Sequence, residues 1–168
     1  MLRLQQDIVA AIDLHRQTET GQQEMKGRDC FKIFSKRIKR YYEAEKKTSP
    51  SAPTRELIYT AYQGYWEKSQ SDLGHYLRSL YNVFKYVSEH EFTDKKQYGN
   101  IARAQLSDFE LVVLLYNCTS KKGANFIRYG KEFAIFDNLD ITLLIDKTHV
   151  SLLPAEVYGN NEAALAIL

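Results

Sequence analysis

The chain has 168 residues, 44% hydrophobic and 26% charged, which is the make-up of one globular domain able to fold without covalent staples. Its 23 basic and 21 acidic side chains leave a net charge of +2, which excludes a histone-like arm or polybasic tail as the main activity but not a local basic patch. Two distant cysteines, Cys30 and Cys118, exclude a secreted disulfide framework, and no histidines are spaced to complete a four-ligand zinc site around them.

The opening residues are too polar for a secretory leader, and the longest apolar run, 111–116, is too short to cross a bilayer. Leu4, Ile8, Ala11 and Ile12 make a short apolar stripe, and Gly21 and Gly27 flank the break after it. Phe31, Phe34, Ile38 and Tyr41 then recur at three- and four-residue spacing, as one buried helix face requires. Residues 1–47 are expected to form an N-terminal helical hairpin, joined by a linker at 48–54, with Pro50 and Pro53, to a main bundle over 55–150.

Thr54 caps the next predicted helix, with Leu57, Ala61 and Tyr65 beside Ile58, Tyr62 and Trp66. Ser71 or Asp72 starts another, whose core side is Leu73, Leu77, Leu80, Phe84 and Val87. A helix from Thr93 or Asp94 ends near Leu106. Ser107 and Glu110 then have the spacing of a capping box, which opens a central helix near 108–119 that is apolar on all sides. Shorter helices are expected near 124–134 and 137–146, and a C-terminal tail, 151–168, in which Asn160 or Asn161 caps a last turn. The fold class is therefore all-α, a single-domain bundle of about six to eight helices.

No chemistry is written plainly in these residues. His15, His75, His90 and His149 include no pair at the helical spacing of two metal ligands, so no metal is assigned. The scattered glycines form neither a phosphate-cradling loop nor a dinucleotide fingerprint, so no cofactor is assigned either. No arginine is followed at the distance used by HEPN-type ribonuclease toxins by a histidine, and no catalytic residue is named. Residues 1–50 carry a net charge of +4, and Lys32, Lys36, Lys39, Arg40 and Lys47 lie opposite the Phe31, Phe34 and Ile38 stripe. That face suits phosphate backbones or anionic lipid, although the interspersed Glu43 and Glu45 favour an ordinary solvated surface.

Polar residues inside the apolar helices say more. His75, Arg78, Asn82 and Lys85 share a face, Asn100, Arg103, Gln105 and Ser107 crowd the end of a helix, and Asn117 ends the most apolar one. Such groups either pair with one another or face a cavity. In one reading Arg78 and Arg103 bind an anionic ligand or a partner's carboxylate; in the other, which the cost of unpaired charge favours, they join helices internally with Glu110 as a counter-charge.

At these residues the sequence resembles a known family. Residues 74–82 (GHYLRSLYN) and 98–117 (YGNIARAQLSDFELVVLLYN) are similar to the putative phage abortive infection protein family of bacteria. Residues 2–9 (LRLQQDIV), 26–31 (KGRDCF) and 136–139 (FDNL) resemble that family's earlier and later parts. The resemblance implies a role in defence in which infected cells shut down before phage multiply. Its motif positions here are Tyr76, Arg78, Tyr81, Arg103, Gln105, Ser107, Glu110 and Asn117, with roles that the family leaves open.

Family members often begin with a pair of membrane-spanning helices, which this sequence lacks. The expected location is therefore the cytoplasm, either as a variant without such helices or as the cytosolic portion of an inner-membrane protein. The function expected is a non-enzymatic sensor or effector module that works through contacts, by self-association or with a phage or host protein. Anionic membrane or nucleic acid is a weaker choice of partner. The alternatives are an RNA-acting toxin released on infection and a purely structural helical domain.

Overall fold

A computed structural model describes residues 3, 7, 9, 10, 13–18 and 21–168. The stripe of Leu4, Ile8, Ala11 and Ile12 lies outside the described residues. After it come two strands, β1 (Asp13–Thr18) and β2 (Gly21–Lys26), paired antiparallel with Asp13 opposite Lys26 and Thr18 opposite Gly21. Here the expected helical hairpin over 1–47 is corrected. Residues 13–26 carry too few apolar side chains for a helical stripe, and a two-residue connection lets the backbone groups pair across a ribbon instead.

Beyond it every regular element is helical, in keeping with the all-α class the sequence predicts. Helix α1 (Asp29–Thr48) buries Phe31, Phe34 and Ile38, with Tyr42 continuing that face. It leaves Lys32, Lys36, Lys39, Arg40 and Lys47 exposed. The linker turns the chain into α2 (Thr54–Glu89), a single helix of 36 residues, about 54 Å long at the usual rise. The expected restart at Ser71 or Asp72 does not occur. Ser71 bonds only its neighbour Asp72, and the buried residues Ile58, Tyr62, Tyr65, Ser69, Leu73, Tyr76, Leu80, Val83 and Val87 run through that point at unbroken three- and four-residue steps.

Helix α3 (Lys95–Arg103) is capped by Asp94, whose carboxylate accepts the Gln97 amide at 2.9 Å. Helix α4 (Asp108–Cys118) is the expected central helix: every residue from Glu110 to Cys118 is buried. A 3₁₀ turn (Ala124–Phe126) leads into α5 (Ile127–Phe133), and three more 3₁₀ turns lead to α6 (Glu162–Leu165). Asn161 caps α6, accepting the Ala164 amide at 3.1 Å, as predicted. The expected helix at 137–146 is instead a loop with a 3₁₀ turn at Ile141–Leu143. Asp140 takes the amide and hydroxyl of Thr142, and Asp146 those of Thr148, so each Asp-x-Thr offers the backbone a local turn in place of a helix. Among the described residues no helix is long and apolar enough to cross a membrane.

His149 is a core residue. The Tyr116 hydroxyl accepts the Ile145 N–H at 2.9 Å and shares a hydrogen bond with His149 Nδ1 at 3.1 Å, which fixes the imidazole in the core. Burial holds the His149 pKa below its ordinary value, with Asp146 opposing and Lys46 assisting. The unfolded chain therefore takes up this proton first, near pH 6.5, so the contribution is whole above that pH and is lost as pH falls through it. Thermal melts at about pH 7.5 and 5 should show a drop that shrinks in His149→Gln; equal drops in both proteins would refute the assignment.

Candidate ligand-binding cleft

The structure divides the predicted site residues into two groups. The first is an internal network. Glu110 is only 1% exposed, and its Oε1 accepts the hydroxyl of buried Tyr76 at 2.7 Å. Its Oε2 accepts the Ser107 amide at 2.9 Å and the Ser107 hydroxyl at 2.6 Å, which closes the capping box. Arg28 completes the arrangement: its Nε lies 3.4 Å from Glu110 Oε2, and its Nη2 donates to the Gln105 carbonyl at 2.7 Å. Tyr76, Gln105, Ser107 and Glu110 thus tie α2, the start of α1 and the α3–α4 connection together.

Arg103 belongs to a second internal link. Its Nη1 donates to the carbonyls of Phe133 and Ala134, at 3.3 and 3.0 Å, and so caps the C-terminal end of α5. Its Nη2 pairs with Asp137 Oδ2 at 3.1 Å, and Asp137 Oδ1 accepts the Asn160 amide at 2.6 Å. The counter-charges therefore differ from the one expected: Glu110 is held by Arg28, and Arg103 by Asp137. Both partners lie in sequence segments quoted for the resemblance, 26–31 and 136–139, but nothing in local spacing pairs them.

In the second group Arg78 is exposed, Tyr81 half-buried and Asn117 buried. Arg78, Tyr81 and Asn117 line a cleft of about 520 Å³ between α2 and the loop after α4. Sequence reasoning missed the rest of this site: Trp66 and Gln70 from α2, and Lys122 and Asn125 from the loop. The Lys121–Lys122–Gly123 turn following Asn117 is the signal that was available. Arg78 and Lys122 are exposed, no carboxylate is among the residues lining the cleft, and neither cation makes an ion pair among the described residues.

Local geometry shapes this recess. The Arg78 guanidinium folds back over Gly74, where a Cβ would meet Nη1 at 3.2 Å. Asn117 donates to the Tyr62 hydroxyl at 2.9 Å, and its backbone carbonyl accepts the Ser120 hydroxyl. Gly123 packs so closely on Asn117 that a Cβ would lie 2.0 Å from that carbonyl oxygen. On the other flank, Arg128 donates to the hydroxyls of Tyr81 and Tyr129 and lies 4.5 Å from the Tyr129 ring centroid. The indole Nε1 of Trp66 is buried and has no hydrogen-bond partner among the described residues.

On the basic face of α1, Lys39 pairs with Glu43 at 3.9 Å and Lys32 sits 5.9 Å from the Phe109 ring centroid. Most of the tyrosines turn inward: Tyr62, Tyr65, Tyr76, Tyr116, Tyr129 and Tyr158 are fully buried, while Tyr86 and Tyr98 are exposed.

Fold and cleft together define an all-α, multi-helix domain with a cationic, aromatic-lined recess fixed on its longest helix. The family model described as "Putative phage abortive infection protein" matches residues 68–144, so this stretch carries the family that the sequence resembles. No curated protein and no solved structure matches the chain. The matched stretch contains the whole cleft lining except Trp66, and it also holds Tyr76, Arg103 and Glu110.

Proposed function

We propose that this protein acts in abortive infection as a binding module, with the Arg78–Lys122 cleft as its recognition site. One observation carries the reading. Of the eight motif residues, Tyr76, Arg103, Gln105, Ser107 and Glu110 lie in internal networks away from the cleft, whereas Arg78, Tyr81 and Asn117 line it. Tyr81 and Asn117 are held by Arg128 and Tyr62, and Arg78 is exposed with no ion pair among the described residues. Two cations without counter-charge favour an anionic ligand or an acidic partner group. The RNA-acting alternative is less well supported by this lining, which holds Lys122 and Tyr81 but no histidine, aspartate or glutamate to act as a general base.

The test is phage challenge of a sensitive bacterium that expresses the chain. Wild-type cultures should survive at low multiplicity and collapse at high multiplicity, with total RNA intact before infection. Arg78→Ala should abolish protection while leaving the melting temperature nearly unchanged, since exposed substitutions usually stay within about 0.5 kcal/mol. Arg103→Ala should behave oppositely at the level of stability, losing about 2 kcal/mol, or roughly 4–8 °C, through the freed α5 carbonyls and the unpaired Asp137. Full protection by Arg78→Ala would sink the proposal.

A further inference from the structure

We infer that the cleft takes a free nucleoside monophosphate, with its phosphate on Arg78 and Lys122 and its ring on the Trp66 side. The inference rests on the cleft being the recognition site. Charge comes first: a phosphate monoester carries about −1.5 to −2 near neutral pH, which matches two cations facing no lining carboxylate. Cations alone would accept any small anion, but the rest of the lining is more selective.

Gln70, Asn82 and Asn125 each present an amide with both donor and acceptor, the pairing that reads the edge of a heterocycle. Trp66, Tyr81 and Phe126 add aromatic surface, on which base stacking is tolerant of base identity. Trp66 stacks on Tyr62 with ring centroids 6.2 Å apart, so the part of its ring that lines the cleft is held in place. A volume of about 520 Å³ lies within the range of small-molecule sites.

Trp66 is the only tryptophan in the sequence, so the site contains its own optical probe. The full chain would be titrated with AMP, GMP, CMP and UMP, the four nucleosides, inorganic phosphate and a 5′-phosphorylated oligonucleotide, read by Trp66 fluorescence and by calorimetry. At least one monophosphate should bind saturably. Its nucleoside, phosphate alone and the Arg78→Ala protein should each lower affinity by about tenfold or more, as loss of a charge-assisted pair does.

The inference is overturned if no monophosphate gives heat at about millimolar concentration, or if phosphate alone binds equally well. It is also overturned if Arg78→Ala binds like wild type, or if the oligonucleotide binds more tightly than every monophosphate, which would assign the cleft to a strand end. Failure here with loss of phage protection in Arg78→Ala removes only the ligand class. Protection that survives Arg78→Ala removes the recognition site itself.

Discussion

Glu110→Ala should lower stability by about 3 kcal/mol, or roughly 6–12 °C in melting temperature, the largest loss expected from any single polar residue in this molecule. The carboxylate serves three elements at once. Its removal breaks the buried bond from the Tyr76 hydroxyl, opens the Ser107 cap of the central helix, and frees Arg28 from the ion pair that helps fix the start of α1. Because Arg28 is half-exposed, its own share is small; the lost buried bond to Tyr76 and the lost cap dominate. Circular-dichroism melts would check the sum. Glu110→Ala should cost less in a Tyr76→Phe background than alone, since the bond the two residues share is already gone. A loss below about 1 kcal/mol in the single variant would contradict the network as described.

Gly123→Ala should cost about 3 kcal/mol and impair the cleft as well. The backbone angles there suit any residue, so the difficulty is space alone: a methyl group would lie 2.0 Å from the Asn117 carbonyl oxygen and 2.4 Å from Asn117 Oδ1. Neither atom can yield easily. The carbonyl accepts the Ser120 hydroxyl and amide, and the Asn117 side chain is anchored on Tyr62 inside the core. The loop must therefore move outward, carrying Lys122 and Asn125 away from Arg78. The expected signature is a lower melting temperature together with weaker binding and weaker protection, whereas Arg78→Ala separates the last two from the first. An unchanged melting temperature for Gly123→Ala would contradict this close packing of the loop on Asn117.

How far these arrangements could be read in advance depends on whether their causes are local. The capping box at Ser107 and Glu110, and the all-round apolar helix after it, were legible because three- and four-residue spacing fixes both. The break predicted at Ser71 was misread because buried Ser69 interrupts the apolar pattern without interrupting the helix. The Asp-x-Thr turns at Asp140 and Asp146 were visible in sequence but outweighed by the apolar residues around them. The cleft was half legible. Arg78 and Asn117 stand out as polar groups in apolar helices, but Lys122 looks like any loop lysine until the fold brings it beside α2. The ion pairs from Arg28 to Glu110 and from Arg103 to Asp137 join distant segments, and no local spacing predicts such a pairing.

The long helix has a consequence for how the molecule can be divided. The family-matched stretch begins at residue 68, inside α2, and so cuts the one rod that both the network and the cleft are built on. Its faces are covered by what lies on either side: the Phe31 ring, 4.7 Å from that of Tyr76, and the 150s, where Val157 takes the Phe136 amide and Tyr158 bonds the Val150 carbonyl. Residues 68–144 are therefore an interior without a skin. As a separate fragment they would expose the apolar surface that the rest of the chain covers, so the unit that can hold the network and the cleft together is the helical domain as a whole.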